Sequence, residues 1–430
     1  MNFGYEDLVN FNVLYFIFDL NALKIKFKEY SMHYASITQR LAELGGEKWL
    51  LYSQARQMAE DGHDIIEMTI GEPDVPTPPE LISVAIEAME RGRTKYSNGN
   101  GEPEVLRALS NRYTKSAGRN ISVDQILCFP GTQTALYATL MALTETGDEV
   151  LVGDPMYATY AGLISASGAS MIPVPLLPEN GFQITADDIV KKLTPQSRVI
   201  LLNSPHNPTG AVLSKKQVKE IVELAVEHDL WIVSDEVYDE MLFEGVDFAS
   251  PLGFLKGADR IVVVSSISKT HAAPGFRSGW SIGSKEFTKR LLPLAETMLF
   301  GNQPFIADMT AIALMKPSKV ATDMRQRFEM RAKLIYARLN GIAGLKVSQP
   351  EAGMFVLIDV SSTGLSGEAY AFDLLSKTGV AVMPGSAFGA ALDNWVRLAL
   401  SVEDSLFDTA CQRILDHALI CEQASVKAKG

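Results

Sequence analysis

Cysteine is scarce in this chain of 430 residues. Cys128, Cys411 and Cys421 form no CxxC pair and no even framework, which excludes a disulfide-stapled fold and a dithiol redox motif. Buried thiols in a reducing compartment account for them, so a cytoplasmic location is expected. Histidine is sparse as well. His33, His63, His206, His228, His271 and His417 stand without metal-ligand spacing, and no metal site is expected. His206 and His271 sit beside loop motifs, where histidines with satisfied ring nitrogens are the plainer reading. Positive charge is in deficit: 39 Lys and Arg against 51 Asp and Glu give a net charge of −12. That argues against nucleic acid or an anionic membrane as partner, since both select basic patches. An unbroken apolar run of the roughly 20 residues needed to cross a bilayer is missing too, because Asp19 interrupts the stretch 11–27. No internal repeat or low-complexity linker is present.

What remains is an apolar, mixed composition. The chain is 47% apolar, enough for a sizeable core, and 21% charged, ordinary for a soluble protein. Helical and β-branched patterns alternate from about residue 80 to 290. Pro78 to Arg91 reads as a helix with Leu81, Val84, Ala85 and Ala88 on one face, and Lys215 to His228 as another. Short β-branched runs follow each, the pattern of a mostly parallel sheet wrapped by helices. After Pro317 the pattern changes. Ala321 to Asn340 is a long charged amphipathic helix, followed by strand-like stretches at Gly344 to Val347 and Met354 to Val360.

The chemistry is concentrated at strand ends. Lys269 lies in Ser266-Ile267-Ser268-Lys269, after the buried-strand run Ile261 to Val264, with Arg277 eight residues on. A lysine amine there can condense with an aldehyde while the hydroxyls and guanidinium hold a phosphate, the anchoring chemistry of pyridoxal phosphate. That cofactor also needs a carboxylate for its pyridine nitrogen and donors for its ring oxygen. Asp235, after Leu230 to Val233, supplies the first, and Asn207 and Tyr238 supply the second. Taken singly, Asn207-Pro208-Thr209-Gly210 is a plausible turn and Asp235 a plausible solvated cap. Together and in this order they point to one cofactor site at the carboxyl ends of neighbouring strands, where open sheets bind ligands.

With these motifs the chain resembles the class I aminotransferases of the fold type I pyridoxal phosphate enzymes, from about Ser36 to Leu419. The resemblance implies an α/β fold: a large domain with a mostly parallel sheet (76–316) and a smaller α+β domain (32–75 with 317–430). It makes Lys269 the Schiff-base lysine and proton shuttle, Asp235 the pyridinium partner, and Asn207 and Tyr238 the ring-hydroxyl contacts. Ser266, Ser268 and Arg277 match phosphate positions. Gly131-Thr132-Gln133, ahead of the helical stretch Ala135 to Leu143, adds backbone amides at a helix N-terminus. Tyr157 matches the residue stacked on the ring, and Tyr96 a tyrosine that reaches the phosphate in the neighbouring subunit, which implies a homodimer with shared sites. Arg397 matches the arginine that grips the substrate α-carboxylate, alongside Asn207 and the backbone of Gly71. An arginine in an apolar strand can equally be a structural ion-pair partner, and packing accounts for Phe355 and Phe388 as well as a pocket does. Met32 matches the usual start of the family, so residues 1–31 are expected to be an upstream extension outside the pattern. Mass spectrometry of native protein tests that point.

The resemblance implies ping-pong transfer of an α-amino group from an amino acid to a 2-oxo acid. Relatives specific for dicarboxylates carry an arginine in the loop before Gly301, where this chain reads Ala295 to Phe300 without one. Stretches such as Leu202 to Asn207 and Met298 to Gly301 look most like arginine–pyruvate transaminases, favouring arginine or a large neutral side chain as donor. The same residues could serve a β-lyase, a synthase or an oxidase. A pyridoxal phosphate-binding transcription regulator would need an amino-terminal DNA-binding domain, which the first 31 residues, with little basic character, are too short to form.

Overall fold

A computed structural model describes residues 33–42, 44 and 47–429. The expected extension 1–31 and the start at Met32 therefore lie outside the described residues. The strands, in chain order, are β1 (Ile66–Met68), β2 (Ile126–Phe129), β3 (Glu149–Asp154), β4 (Ser170–Pro175), β5 (Ser197–Asn203), β6 (Trp231–Asp235), β7 (Ile261–Ser266), β8 (Gly279–Ile282), β9 (Lys346–Val347), β10 (Phe355–Asp359), β11 (Val380–Pro384) and β12 (Trp395–Ala399).

Seven of them form a sheet in the order β2-β8-β7-β6-β5-β3-β4. Within it β3, β4, β5, β6 and β7 run parallel, and only β8 is antiparallel to its neighbours β2 and β7. The inner parallel strands β3, β5, β6 and β7 are largely buried, as their Val- and Ile-rich sequences require, and every residue of β7 is buried; the edge strand β4 is mostly exposed or half-buried. Apolar clusters cover the sheet on both sides. Helix Lys215–Glu227 contributes Val218, Ile221 and Val222 to one, and helix Thr132–Leu143 contributes Ala135, Leu136 and Leu140 to the other.

The second sheet has the order β1-β11-β12-β10-β9 and mixes parallel with antiparallel pairs. Its β1 comes from near the amino end and pairs in parallel with β11, so the chain closes on itself across more than 300 residues. Helix Lys319–Leu339 packs Met324, Phe328 and Ile335 into the core of this sheet.

The helices expected over 78–91, 215–228 and 321–340 are found at Pro79–Glu90, Lys215–Glu227 and Lys319–Leu339. One strand expectation is corrected. Over Gly344 to Val347 only Lys346–Val347 is strand, because Ala343 and Gly344 adopt left-handed φ of 50° and 72° and turn the chain first. The stretch before Gly301 also differs: residues 295–299 are the last turn of helix Lys285–Leu299, closed by Phe300 at φ 52°.

Candidate active site

Register in the large sheet brings the predicted chemistry together. Asn203 at the end of β5 stands opposite Asp235 at the end of β6, and Asp235 stands opposite Val264 of β7, two residues before Ser266. A cavity of about 260 Å³ opens there. Thr132, Gln133, Tyr157, Asn207, Asp235 and Tyr238 line it, together with Ser266, Ser268, Lys269 and Arg277; Gly71 and Arg397 complete the wall. Gly131 lies against the Arg277 guanidinium. Tyr96 stands apart. It is 87% exposed, with its ring edge-on to Phe300 at 5.3 Å.

Lys269 follows β7 directly, and its Nζ donates to the carbonyl of Gly71. Burial pulls its pKa down to about 8, against Glu72, which raises it; Arg397 and Arg277 pull the same way as burial. An amine held near neutral is suited to nucleophilic attack and proton transfer. Asp235 is buried, and burial pushes its pKa up to about 6. The Tyr160 hydroxyl, donating to Oδ2 at 2.8 Å, and the Val237 amide, donating to Oδ1 at 3.2 Å, work the other way and favour the carboxylate. Burial also raises the pKa of Tyr157 and Tyr238, which keeps both phenols protonated.

A second end of the cavity is built for an anion. Gly131, at φ 89°, caps helix Thr132–Leu143 and turns the helix N-terminus toward the cavity. A Cβ at Gly131 would overlap the Arg277 guanidinium, and one at Gly279 would overlap the Gly131 backbone, so both glycines permit a close approach. Arg277 itself has φ 52°, and its guanidinium is held by the carbonyls of Pro274 at 2.7 Å and Pro130 at 3.3 Å. Thr132 Oγ1 is buried and has no hydrogen-bond partner among the described residues. A buried hydroxyl, an oriented guanidinium, two serines and a helix N-terminus fit a phosphate. With a carboxylate and a low-pKa lysine in the same cavity, the residues present fit pyridoxal phosphate.

Arg397, in the middle of β12, is buried. Its Nη1 donates to Asn207 Oδ1 at 3.0 Å, its Nη2 to the carbonyl of Thr69, and its Nε has no partner among the described residues. The guanidinium carbon lies 4.0 Å from the ring centre of Phe355 and 4.3 Å from that of Phe388. Burial lowers its pKa from the usual arginine range, yet a guanidinium keeps its charge. A buried cation between two aromatic faces, with only neutral acceptors, is suited to an incoming carboxylate.

Among the cavity-lining residues that were not anticipated are Tyr160, Asn203 and Trp49. Asn203 Nδ2 donates to the carbonyl of Asp235, and its Oδ1 accepts the Asn207 amide, tying two site segments together. Its place at a strand end beside Asp235 was a readable signal. Tyr160 was signalled only by its position three residues after Tyr157, which fits helical packing equally well. His206 is bonded within its loop through Thr209 at 2.7 Å, and His271 through Thr270 at 2.8 Å and the carbonyl of Ala313, at the end of helix Pro304–Ala313, at 3.0 Å. Asp373, His417 and Cys421 bring potential ligand atoms within 4.8 Å of one another. There, Asp373 Oδ2 already takes the Lys377 ammonium at 2.9 Å and His417 Nε2 at 2.8 Å.

Comparison with known proteins agrees with this chemistry. The sequence model of the family described as aminotransferase class I and II matches residues 63–414. The chain belongs to that family. It is 38% identical over 383 residues to the arginine–pyruvate transaminase AruH of Pseudomonas aeruginosa, covering 89% of this chain and 97% of that protein. The aromatic-amino-acid aminotransferase 2 of Thermococcus litoralis is 32% identical over 362 residues, covering 83% of this chain and 92% of that protein. Among solved structures, the aspartate aminotransferase from Thermus thermophilus with maleate superposes with a TM-score of 0.84 at 29% identity, covering 90% of this chain and all of that one. The protein is thus an α/β enzyme of the fold type I architecture and a pyridoxal phosphate-dependent aminotransferase. No helix among the described residues is long and apolar enough to cross a membrane.

Proposed function

We propose that this aminotransferase takes the α-amino group from arginine, or from an amino acid with a large neutral side chain, and passes it to pyruvate or a similar 2-oxo acid. The carrying observation is the pairing of two cations on one short segment: Arg397 donates to the Thr69 carbonyl and Lys269 to the Gly71 carbonyl. An α-amino acid presents a carboxylate to the first and a reacting centre to the second. Support for arginine comes from the 38% identical relative of that name and from the lack of any arginine in Ala295 to Phe300.

Each residue then has a task. Bound pyridoxal phosphate supplies a carbonyl that takes up an amine and a ring that withdraws electrons from the substrate Cα. Asp235 would hold the ring nitrogen, Asn207 and Tyr238 the ring hydroxyl, and Tyr157 the ring face. Thr132, Gln133, the amides beyond Gly131, Ser266, Ser268 and Arg277 would hold the phosphate. Arg397 binds the α-carboxylate through two parallel N–H donors, with Asn207 and the Gly71 backbone alongside. Lys269 Nζ, neutral above a pH of about 8, takes the proton from Cα and later returns one. The walls of Phe355 and Phe388 exclude water from the Arg397 guanidinium and strengthen its hold on an anion.

The same reading assigns residues 76–316 to the cofactor-binding domain and 32–75 with 317–430 to the smaller one. In support, strands β2 to β8 all fall in the first range and β1 with β9 to β12 in the second. It also makes the protein a cytoplasmic homodimer in which exposed Tyr96 serves the partner's phosphate; the three free, buried cysteines suit a reducing compartment.

The test is a spectrum of the protein reconstituted with pyridoxal phosphate, before and after L-arginine and then pyruvate. Arginine should remove the band of lysine-held cofactor, and pyruvate should restore it with formation of alanine and no ammonia. A band that ignores arginine but answers another amino acid would overturn the substrate. Ammonia release without need of a 2-oxo acid would point instead to lyase or oxidase chemistry.

A further inference from the structure

Tyr160 occupies an unusual place. It opens helix Tyr160–Ser167, is 1% exposed, and lines the cavity with a side chain that bonds a site residue. Its hydroxyl donates to Asp235 Oδ2 at 2.8 Å, while the Val237 amide takes Oδ1 at 3.2 Å. Each carboxylate oxygen thus has one protein donor, and the plane of the carboxylate is set by two groups from different elements. The Tyr160 ring also meets the Tyr157 ring edge to face, at 5.5 Å and 85°. Its backbone amide donates to the Tyr157 carbonyl at 3.0 Å. One side chain therefore touches both the carboxylate and the aromatic ring assigned to the cofactor.

We propose that Tyr160 is a positioning residue for the cofactor: its hydroxyl orients Asp235 and keeps it ionised, and its ring fixes the attitude of Tyr157. The inference rests on the reading of Asp235 as the partner of the ring nitrogen. The physical reason is that burial alone drives Asp235 toward its neutral acid, which could not accept a hydrogen bond from a protonated ring nitrogen in the same way. A phenol is the right counterweight. Burial and the adjacent carboxylate hold its own pKa well above the ordinary value, so it remains a donor and never competes as an anion. A water in its place would be free to turn, whereas the ring is locked by packing against Tyr157.

Three substitutions and one combination of them test this on the equilibrium affinity of the apoprotein for pyridoxal phosphate, measured by tryptophan fluorescence. Tyr160→Phe keeps the ring and removes the donor to a charged group, so it should weaken binding by about tenfold. Asp235→Asn should weaken it too. In the Asp235→Asn background the Tyr160→Phe change should cost less than about twofold, because the hydroxyl acts through the carboxylate. Steady-state kinetics should show a fall in kcat with KM for the amino acid nearly unchanged. Tyr160→Leu, which removes the ring as well, should weaken the cofactor beyond Tyr160→Phe. Equal losses from Tyr160→Phe in both backgrounds would overturn the inference and leave the role of Asp235 standing. Unchanged affinity in Asp235→Asn would overturn both.

Discussion

Two buried arginines, 66 residues apart in sequence, serve opposite ends. Arg331, on helix Lys319–Leu339, is saturated by anions. Its guanidinium donates to Asp74 at 2.8 Å, to Asp404 at 2.9 and 2.6 Å, and to the Leu400 carbonyl at 2.7 Å. Arg397, equally buried, meets no carboxylate among the described residues and is flanked instead by two phenyl rings. Burial is the same in both, so burial does not distinguish a structural arginine from a ligand-binding one. Partners do. A guanidinium with its charge already matched holds chain segments together; one with only neutral acceptors can still accept an anion.

The two are also linked. Asp74, gripped by Arg331 and by Arg327 at 2.8 Å, lies three residues after Gly71, whose carbonyl holds Lys269. The structural arginine thus fixes the segment on which the functional cations rest.

This contrast can be broken at several points. The largest effect should come from Arg397→Ala, which removes two charge-assisted hydrogen bonds to substrate and should lower kcat/KM by about a thousandfold. The melting temperature should barely move; a large fall there would place Arg397 with the structural class. Arg331→Ala should do the reverse, costing about 3 kcal/mol in urea unfolding because it breaks the ion pairs of the buried guanidinium to Asp74 and Asp404 and leaves Asp74 with Arg327 alone. If KM changed while stability held, the division between the two would collapse. A smaller effect is expected at the amine. Capture of pyridoxal phosphate by Lys269 should quicken about tenfold per pH unit below about 8 and level off above it, since a lowered lysine pKa means the reactive neutral amine prevails only on the alkaline side. Stopped-flow absorbance against pH reads this directly, and a plateau reached only above pH 10 would refute the tuning by burial. The mildest change is Arg397→Lys, which keeps the charge but loses the fork, and should raise KM by roughly tenfold.

Much of this was legible in the sequence because open-sheet chemistry gathers at strand ends, and strand ends are marked by β-branched runs giving way to polar residues. Asn207, Asp235 and Lys269 all follow such runs. Arg397 was harder, since an arginine in an apolar strand suits an ion pair or a ligand, and only its neighbours in space separate the two. Tyr160 was not legible. Its spacing from Tyr157 is that of any helical pair, and the bond to Asp235 spans 75 residues. Gly344 misled because its neighbours look strand-like, while positive φ at Ala343 and Gly344 turns the chain before the strand can form.

The site is also a product of long chain connections. Lys269 reaches its carbonyl across 198 residues, Arg397 reaches Asn207 across 190, and Thr69 across 328. No piece of the protein shorter than the span from Trp49 to Arg397 can therefore hold the whole cavity. During synthesis the strands that carry Asn203, Asp235 and Lys269 leave the ribosome well before β12. The cofactor-holding edge can form before the guanidinium that completes it has been made, and amino-acid binding arrives only with the last turns of the chain.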